Sequence, residues 1–200
     1  KETYKEVEPI YFESKAKTET INTPDKTNAM LLGGLNLNIS RKHPDYAAVI
    51  IANELLGGGA FLSSRIPQRL RENEGMSYGA GSFMNVEYNY NIGNWGVYAM
   101  FNPLYKGRLD SALHQEIDKA IKPGFTQDEL TKSVASWQEQ VRTSLGSNDN
   151  LASILRSFLQ NDRDLNQYIE FDNKLKNLRL DAVNTALRKY FDKSKFVMVY

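Results

Sequence analysis

Cysteine is absent from all 200 residues, and histidine occurs only twice, as His43 and His114. The fold therefore has no disulfide, and no thiolate is available as nucleophile or metal ligand. Hydrolytic zinc centres take three protein ligands, so two imidazoles are too few to expect one built wholly from this chain. Charge of one sign is missing too: 25 Lys and Arg stand against 24 Asp and Glu. No mean field draws the chain to nucleic acid or to an anionic membrane. No apolar run is long enough to cross a bilayer. A Gly-x-Ser-x-Gly elbow is lacking, which removes the serine-hydrolase triad. Gly57, Gly58 and Gly59, with Ser63 and Ser64 beyond them, have neither the Gly-Lys-Ser/Thr ending of a P-loop nor a dinucleotide fingerprint. They read as a turn between two helices. The start at Lys1 shows no initiating Met and no basic-then-apolar signal pattern, the look of a cut-out segment or a mature product. Compartment stays open, with a cell envelope or periplasm compatible with a bacterial source.

What is present is an ordinary globular composition, 41% hydrophobic and 24% charged, in a chain long enough for one sizeable core. Residues 1–17 mix charges and aromatics around Pro9 and read as a linker or edge segment, ahead of one domain over 18–200. Thr18 to Asn22 and Ala29 to Ile39 suit strands. In the second, Leu35, Leu37 and Ile39 alternate with Asn36 and Asn38, so one face should be buried. Tyr46 to Leu56 has helical spacing and stops at the glycines. A second helix, capped by Ser63 or Ser64 and with Pro67 in its first turn, runs through Ile66, Leu70 and Arg71 to Gly75. Met76 to Val86 and Gly93 to Asn102 read as paired strands. The period then becomes helical over Leu104 to Ile121, Thr126 to Leu145, Asn150 to Leu159, Leu165 to Leu178 and Asp181 to Phe191, before a last strand from Phe196 to Tyr200. Thr126 and Glu129 have capping-box spacing. The expected fold class is α+β: an antiparallel or mixed sheet with helices packed on one side.

Few residues offer chemistry. His114 and Asp118 share a helical face, which is more often a solvated face than a metal site. His43 precedes Pro44 at a helix start, where a turn role outweighs catalysis. The segment from Leu70 to Ser82 is more informative, because it joins a charged helix end through Gly75 to a glycine-rich strand. Strict alternation puts the small residues Ser77, Gly79 and Gly81 on one strand face and Met76, Tyr78 and Ala80 on the other. The turn at Gly75 brings Arg71 and Tyr78 toward one region. A guanidinium fork and a phenol together suit a peptide carbonyl, or the negative oxygen that grows on it during hydrolysis. The plainer alternative ties Arg71 to Glu72 or Glu74 and packs Tyr78 in the core.

At Leu70, Arg71, Gly75, Met76 and Tyr78 the sequence resembles the C-terminal halves of the pitrilysin, insulin-degrading enzyme and mitochondrial processing peptidase family. These carry a similar Leu-Arg-x-x-x-Gly-apolar-x-Tyr stretch. Leu55 to Gly59 and Phe61 to Arg65 look like the loop that family places before the Arg-bearing helix. Gly124 to Leu130 resembles its later helix opening, and Phe196 to Val199 its last strand. The resemblance spans most of Ala29 to Tyr200. It implies one half of a clamshell whose other half carries the inverted zinc motif His-x-x-Glu-His. This chain departs from that motif: Val49 to Leu56, standing where the motif would be, offers only Asn53 and Glu54 as polar groups.

The resemblance thus implies no catalytic or metal-binding residue here. Zinc is expected in the partner half, and Arg71 and Tyr78 are the substrate-binding residues. The implied function is a non-catalytic, substrate-contacting half of a zinc-dependent metalloendopeptidase, inactive alone. Its expected partners are the zinc-bearing homologous half, fused or separate, and a peptide, with a second copy of the domain as another candidate. A peptide-binding or scaffolding module of the same fold is the alternative. An independent enzyme using His114 and carboxylates is a third, which would bind zinc by itself.

Overall fold

The structure, a computed structural model, describes residues 7–59 and 64–200. Five strands form one mixed sheet among these residues: β1 Lys17–Glu19, β2 Ala29–Leu37, β3 Ser77–Val86, β4 Gly93–Phe101 and β5 Val197–Val199, in the order β1-β5-β2-β4-β3. β2 is antiparallel to both β4 and β5, β3 is antiparallel to β4, and β1 runs parallel to β5. The last strand is thereby inserted between the first two, tying both ends of the domain into one sheet.

Strand alternation decides which face is covered. Leu31, Leu35 and Leu37 of β2 and Trp95, Val97, Ala99 and Phe101 of β4 are buried on the inward face. Each large apolar side chain among them contributes roughly 1.5–3 kcal/mol by leaving water. The helices that cover them are α1 Tyr46–Asn53, α2 Arg65–Pro67, α3 Lys106–Ile121, α4 Gln127–Leu145, α5 Asn148–Gln160, α6 Leu165–Lys176 and α7 Leu180–Tyr190. Both α1 and α2 continue in wider π-type turns, over Glu54–Gly58 and Gln68–Asn73. Every residue of α1 after Tyr46 is buried, since α7 packs on it as well as the sheet, so its apolar pattern runs all round instead of along one stripe. Trp95 closes the core against Phe191 and Phe196, ring centroids 5.1 and 5.4 Å away. The α+β class and the helices on one side are as the sequence leads one to expect.

Two helix starts differ from one another in an instructive way. At α4 the capping box forms: the Thr126 hydroxyl accepts the Glu129 N–H, and the Glu129 carboxylate accepts the Thr126 N–H at 2.7 Å. At α2 the serine cap is not made. Ser64 stands at the cap position, but its hydroxyl is enclosed without a partner. The physical reason is Pro67, which occupies the third helical position and has no N–H to donate. Ser63 lies outside the described residues.

Glu129 also anchors the start of α2. Arg65 grips its carboxylate with two N–H groups at 2.7 and 2.9 Å, and also donates to the Gly124 carbonyl at 3.0 Å. Burial alone would raise the Glu129 pKa, but Arg65 and Thr126 outweigh it and hold the carboxyl below its usual value. A depressed carboxylate stabilises the fold above its unfolded-state pKa, and that stability is lost as pH falls through the lowered folded value. Glu129→Gln should therefore cost about 2 kcal/mol at neutral pH. The gap to wild type should narrow below about pH 4, which thermal melts across the acid range will read.

Candidate functional site

The helical turns Gln68–Asn73 end in a glycine-terminated closure. Gly75 sits at φ +60, the Gly75 N–H donates to the Arg71 carbonyl at 3.0 Å, and the Met76 N–H reaches back to the Leu70 carbonyl at 3.0 Å. Only glycine adopts that left-handed conformation without strain. Leu70 and Met76, both buried, pin the two sides of the turn to the core. Arg71 is thereby held at the helix end with its side chain half exposed, its Nε 3.6 Å from a Glu72 carboxylate oxygen. Glu74 is engaged elsewhere, by Arg69 at 2.6 Å and Arg108 at 3.8 Å.

Beyond the turn a β-bulge changes the strand faces. Ser77 lies opposite Phe101, yet Gly79 lies opposite Met100, so Tyr78 is an extra residue with no partner in the register. The alternation expected from sequence is overturned here. Ser77 joins Ala80 and Ser82 on the core side, while Gly79 and Gly81 lie on the open face. The Ser77 hydroxyl stabilises the bulge, lying 2.8 Å from both the Gly79 and Met100 carbonyls and accepting the Gly79 N–H at 3.1 Å. Tyr78, which plain alternation would pack with Ala80, is instead 65% exposed.

The open face of the sheet carries cross-strand rows. Met30 faces Met100, which faces Gly79; Leu32 faces Tyr98, which faces Gly81; Asn36 faces Asn94, which faces Asn85. Met30, Leu32, Phe83 and Met100 are exposed there. The asparagine row borders the apolar part. Asn85 donates to Asn94, and Asn36 holds the lead-in chain through the Phe12 carbonyl and the Ser14 hydroxyl. β3 is the edge strand, and no strand among the described residues pairs with its outer side. Sequence reasoning did not single out this face, although the three asparagines at matching strand positions were a readable signal.

The remaining candidates sit apart from it. Asn53 is buried in the core, where its Oδ1 accepts the Trp95 Nε1–H at 3.0 Å and the Ser82 hydroxyl at 2.8 Å. Glu54 is buried beside it, and that burial pushes its carboxyl up against a hydrogen bond from Asn53. His43 has the turn role: its Nδ1 accepts the Asp45 N–H at 3.0 Å. His114 lies 3.5 Å from Asp110, and Asp118 is bound to Lys193 at 2.8 Å, so the two are engaged in different directions. Among the described residues no three of His, Asp or Glu converge as metal ligands, and the donor set does not fit a zinc centre.

Fold and site together define an α+β domain with an Arg and a Tyr on either side of a glycine closure, an apolar open sheet face, and no converging metal ligands among the described residues. The family model of the peptidase M16 inactive domain matches residues 2–136, and the chain belongs to that family. This agrees with the pitrilysin-type resemblance of its Leu70 to Tyr78 segment. An uncharacterized zinc protease of Streptomyces coelicolor is 33% identical over 102 residues, 51% of this chain and 21% of the relative. The peptidase M16 inactive domain crystallised from Pseudomonas fluorescens superposes with a TM-score of 0.80 at 26% identity, over 94% of this chain and 44% of that one. A Helicobacter pylori protease gives a TM-score of 0.80 at 20% identity, over 93% and 44%, a likeness of fold. The chain thus spans about a fifth of the curated relative and under half of either solved chain.

Proposed function

We propose that this domain, residues 18–200, is the non-catalytic, substrate-contacting half of a zinc-dependent metalloendopeptidase. It completes a peptide chamber with a homologous half that holds the zinc. The observation that carries the reading is the placement of Arg71 and Tyr78. They flank the Gly75 closure, and the bulge leaves the phenol exposed at the end of the edge strand. A peptide lying along the unpaired edge of β3 would offer its carbonyls to the Tyr78 hydroxyl, and the Arg71 fork would exchange its long contact with Glu72 for a peptide carbonyl. Met30, Leu32 and Met100 supply the apolar wall that excludes water from that carbonyl. These residues hold and polarise the peptide; the water-activating metal belongs to the other half.

The test separates the halves. The chain alone, and the chain assembled with its zinc-bearing half, are assayed for zinc by elemental analysis and for hydrolysis of a quenched fluorescent peptide. The chain alone should retain no stoichiometric zinc after dialysis and cleave nothing, because it lacks the ligands. The assembly should cleave. Stoichiometric zinc in the isolated chain would overturn the assignment.

A further inference from the structure

A cavity of about 660 Å³ lies away from the sheet face, among α1, α4, α5 and α6 and the β3–β4 connection. That volume is within the roughly 300–1,000 Å³ typical of small-molecule sites. Its apolar lining, formed by Trp137, Val141, Ile154, Phe158, Phe171 and Leu175, is matched by about as much polar surface. Arg41, Lys42, Arg163 and Lys174 share the lining.

The polar groups of this lining are unequally occupied. Arg41 donates its Nε to the Val86 carbonyl, and Lys42 donates to Asn89. Asp172 is held by Lys176 and Gln138. Glu170 is exposed. Arg163 is different: its guanidinium rests over the Tyr88 and Phe158 rings at 4.6 and 4.4 Å, its Nε is enclosed without a hydrogen-bond partner, and no carboxylate among the described residues pairs with it. The Tyr168 hydroxyl is likewise enclosed and unpartnered. Such groups are costly to leave unmatched next to apolar walls. Burial pushes the Tyr46 phenol up, and Arg41 and Arg163 oppose that shift, so their positive field reaches this wall. A neutral hydrocarbon would leave the Arg163 cation without a counter-charge. A bare inorganic anion would leave the aromatic walls wet.

We propose that this cavity binds a small apolar monocarboxylate. Its carboxylate pairs with the Arg163 guanidinium, and its body lies against Trp137, Ile154, Phe158 and Phe171. A medium-chain fatty acid and the C-terminal end of a short apolar peptide share this chemistry. Titration calorimetry on the full-length protein, with decanoate and N-acetyl-leucyl-phenylalanine as the two probes, distinguishes the sources by which binds more tightly. Saturable binding of either is expected, with decanol and inorganic phosphate at least tenfold weaker. Arg163→Met should weaken carboxylate binding tenfold or more while sparing decanol, and Ser157→Trp should fill the cavity and abolish both. Circular dichroism checks that each variant is folded. Wild-type carboxylate affinity in folded Arg163→Met, decanol binding as tightly as decanoate, or no saturation by either probe would overturn the site. If Arg163→Met does not fold, undiminished decanoate binding in folded Ser157→Trp overturns it equally.

Discussion

Tyr78→Phe in the assembled peptidase is expected to lower kcat about a hundredfold, some 3 kcal/mol of transition-state stabilisation, with the melting temperature unchanged. The substitution removes one hydroxyl from a residue that is 65% exposed and has no partner across the strand pair. No packing is lost, so stability has no reason to move. If the phenol donates to the oxygen that becomes negative, its loss falls on kcat and not on KM. Arg71→Lys should also slow turnover, because an ammonium cannot reproduce the planar fork. Lysine can still pair with Glu72, so loss of that ion pair would not account for the slower turnover. Wild-type turnover in Tyr78→Phe, or a fall in melting temperature matching the fall in rate, would return Tyr78 to a packing role.

Asn53→Ala is expected to destabilise the domain by roughly 3 kcal/mol, read from the denaturant midpoint of the same protein. The Asn53 side chain is 3% exposed, and its one oxygen satisfies two buried donors, the Trp95 indole N–H and the Ser82 hydroxyl. Removing it orphans the indole N–H, at about 1–3 kcal/mol, and leaves the Ser82 hydroxyl only the longer bond to the Asn53 backbone carbonyl at 3.3 Å. The same cost should appear in Asn53→Leu, which fills the space but accepts nothing. Adding Ser82→Ala to Asn53→Leu should recover part of the loss, since a donor left with only the longer carbonyl bond is then gone. Additive losses in that double variant would show that the hydrogen bonds are not what Asn53 contributes. The network pins β3 and β4 to α1 at the position where the resemblance places the partner half's zinc motif, so this helix has a core anchor in place of metal ligands.

The helices were legible because their signals are local. Thr126 and Glu129 announce the start of α4 by spacing alone, and the box forms. Gly75 announces the end of a helix by being the residue that tolerates positive φ. The Arg71 and Tyr78 pairing was legible as a motif. Its presentation was not, since a bulge is a mismatch between two strands, and β3 read alone carries no record of the count in β4. The expected Ser64 cap failed for a reason present in the sequence, the missing N–H of Pro67, which the cap rule read without its donor position conceals.

By itself, the sequence determined the α+β class, the order and approximate limits of the elements, the poverty of metal ligands and the Arg71-Gly75-Tyr78 spacing. All of these depend on residue identity or on contacts within a few positions along the chain. Only the tertiary structure decided that β5 enters between β1 and β2, that a bulge leaves Tyr78 exposed to solvent, that Asn53 serves Trp95 and Ser82, and that Arg163 and Tyr168 line one cavity. Most of those facts join residues tens to more than a hundred positions apart. Which distant groups meet is set by how the whole core packs, a property that no local pattern encodes.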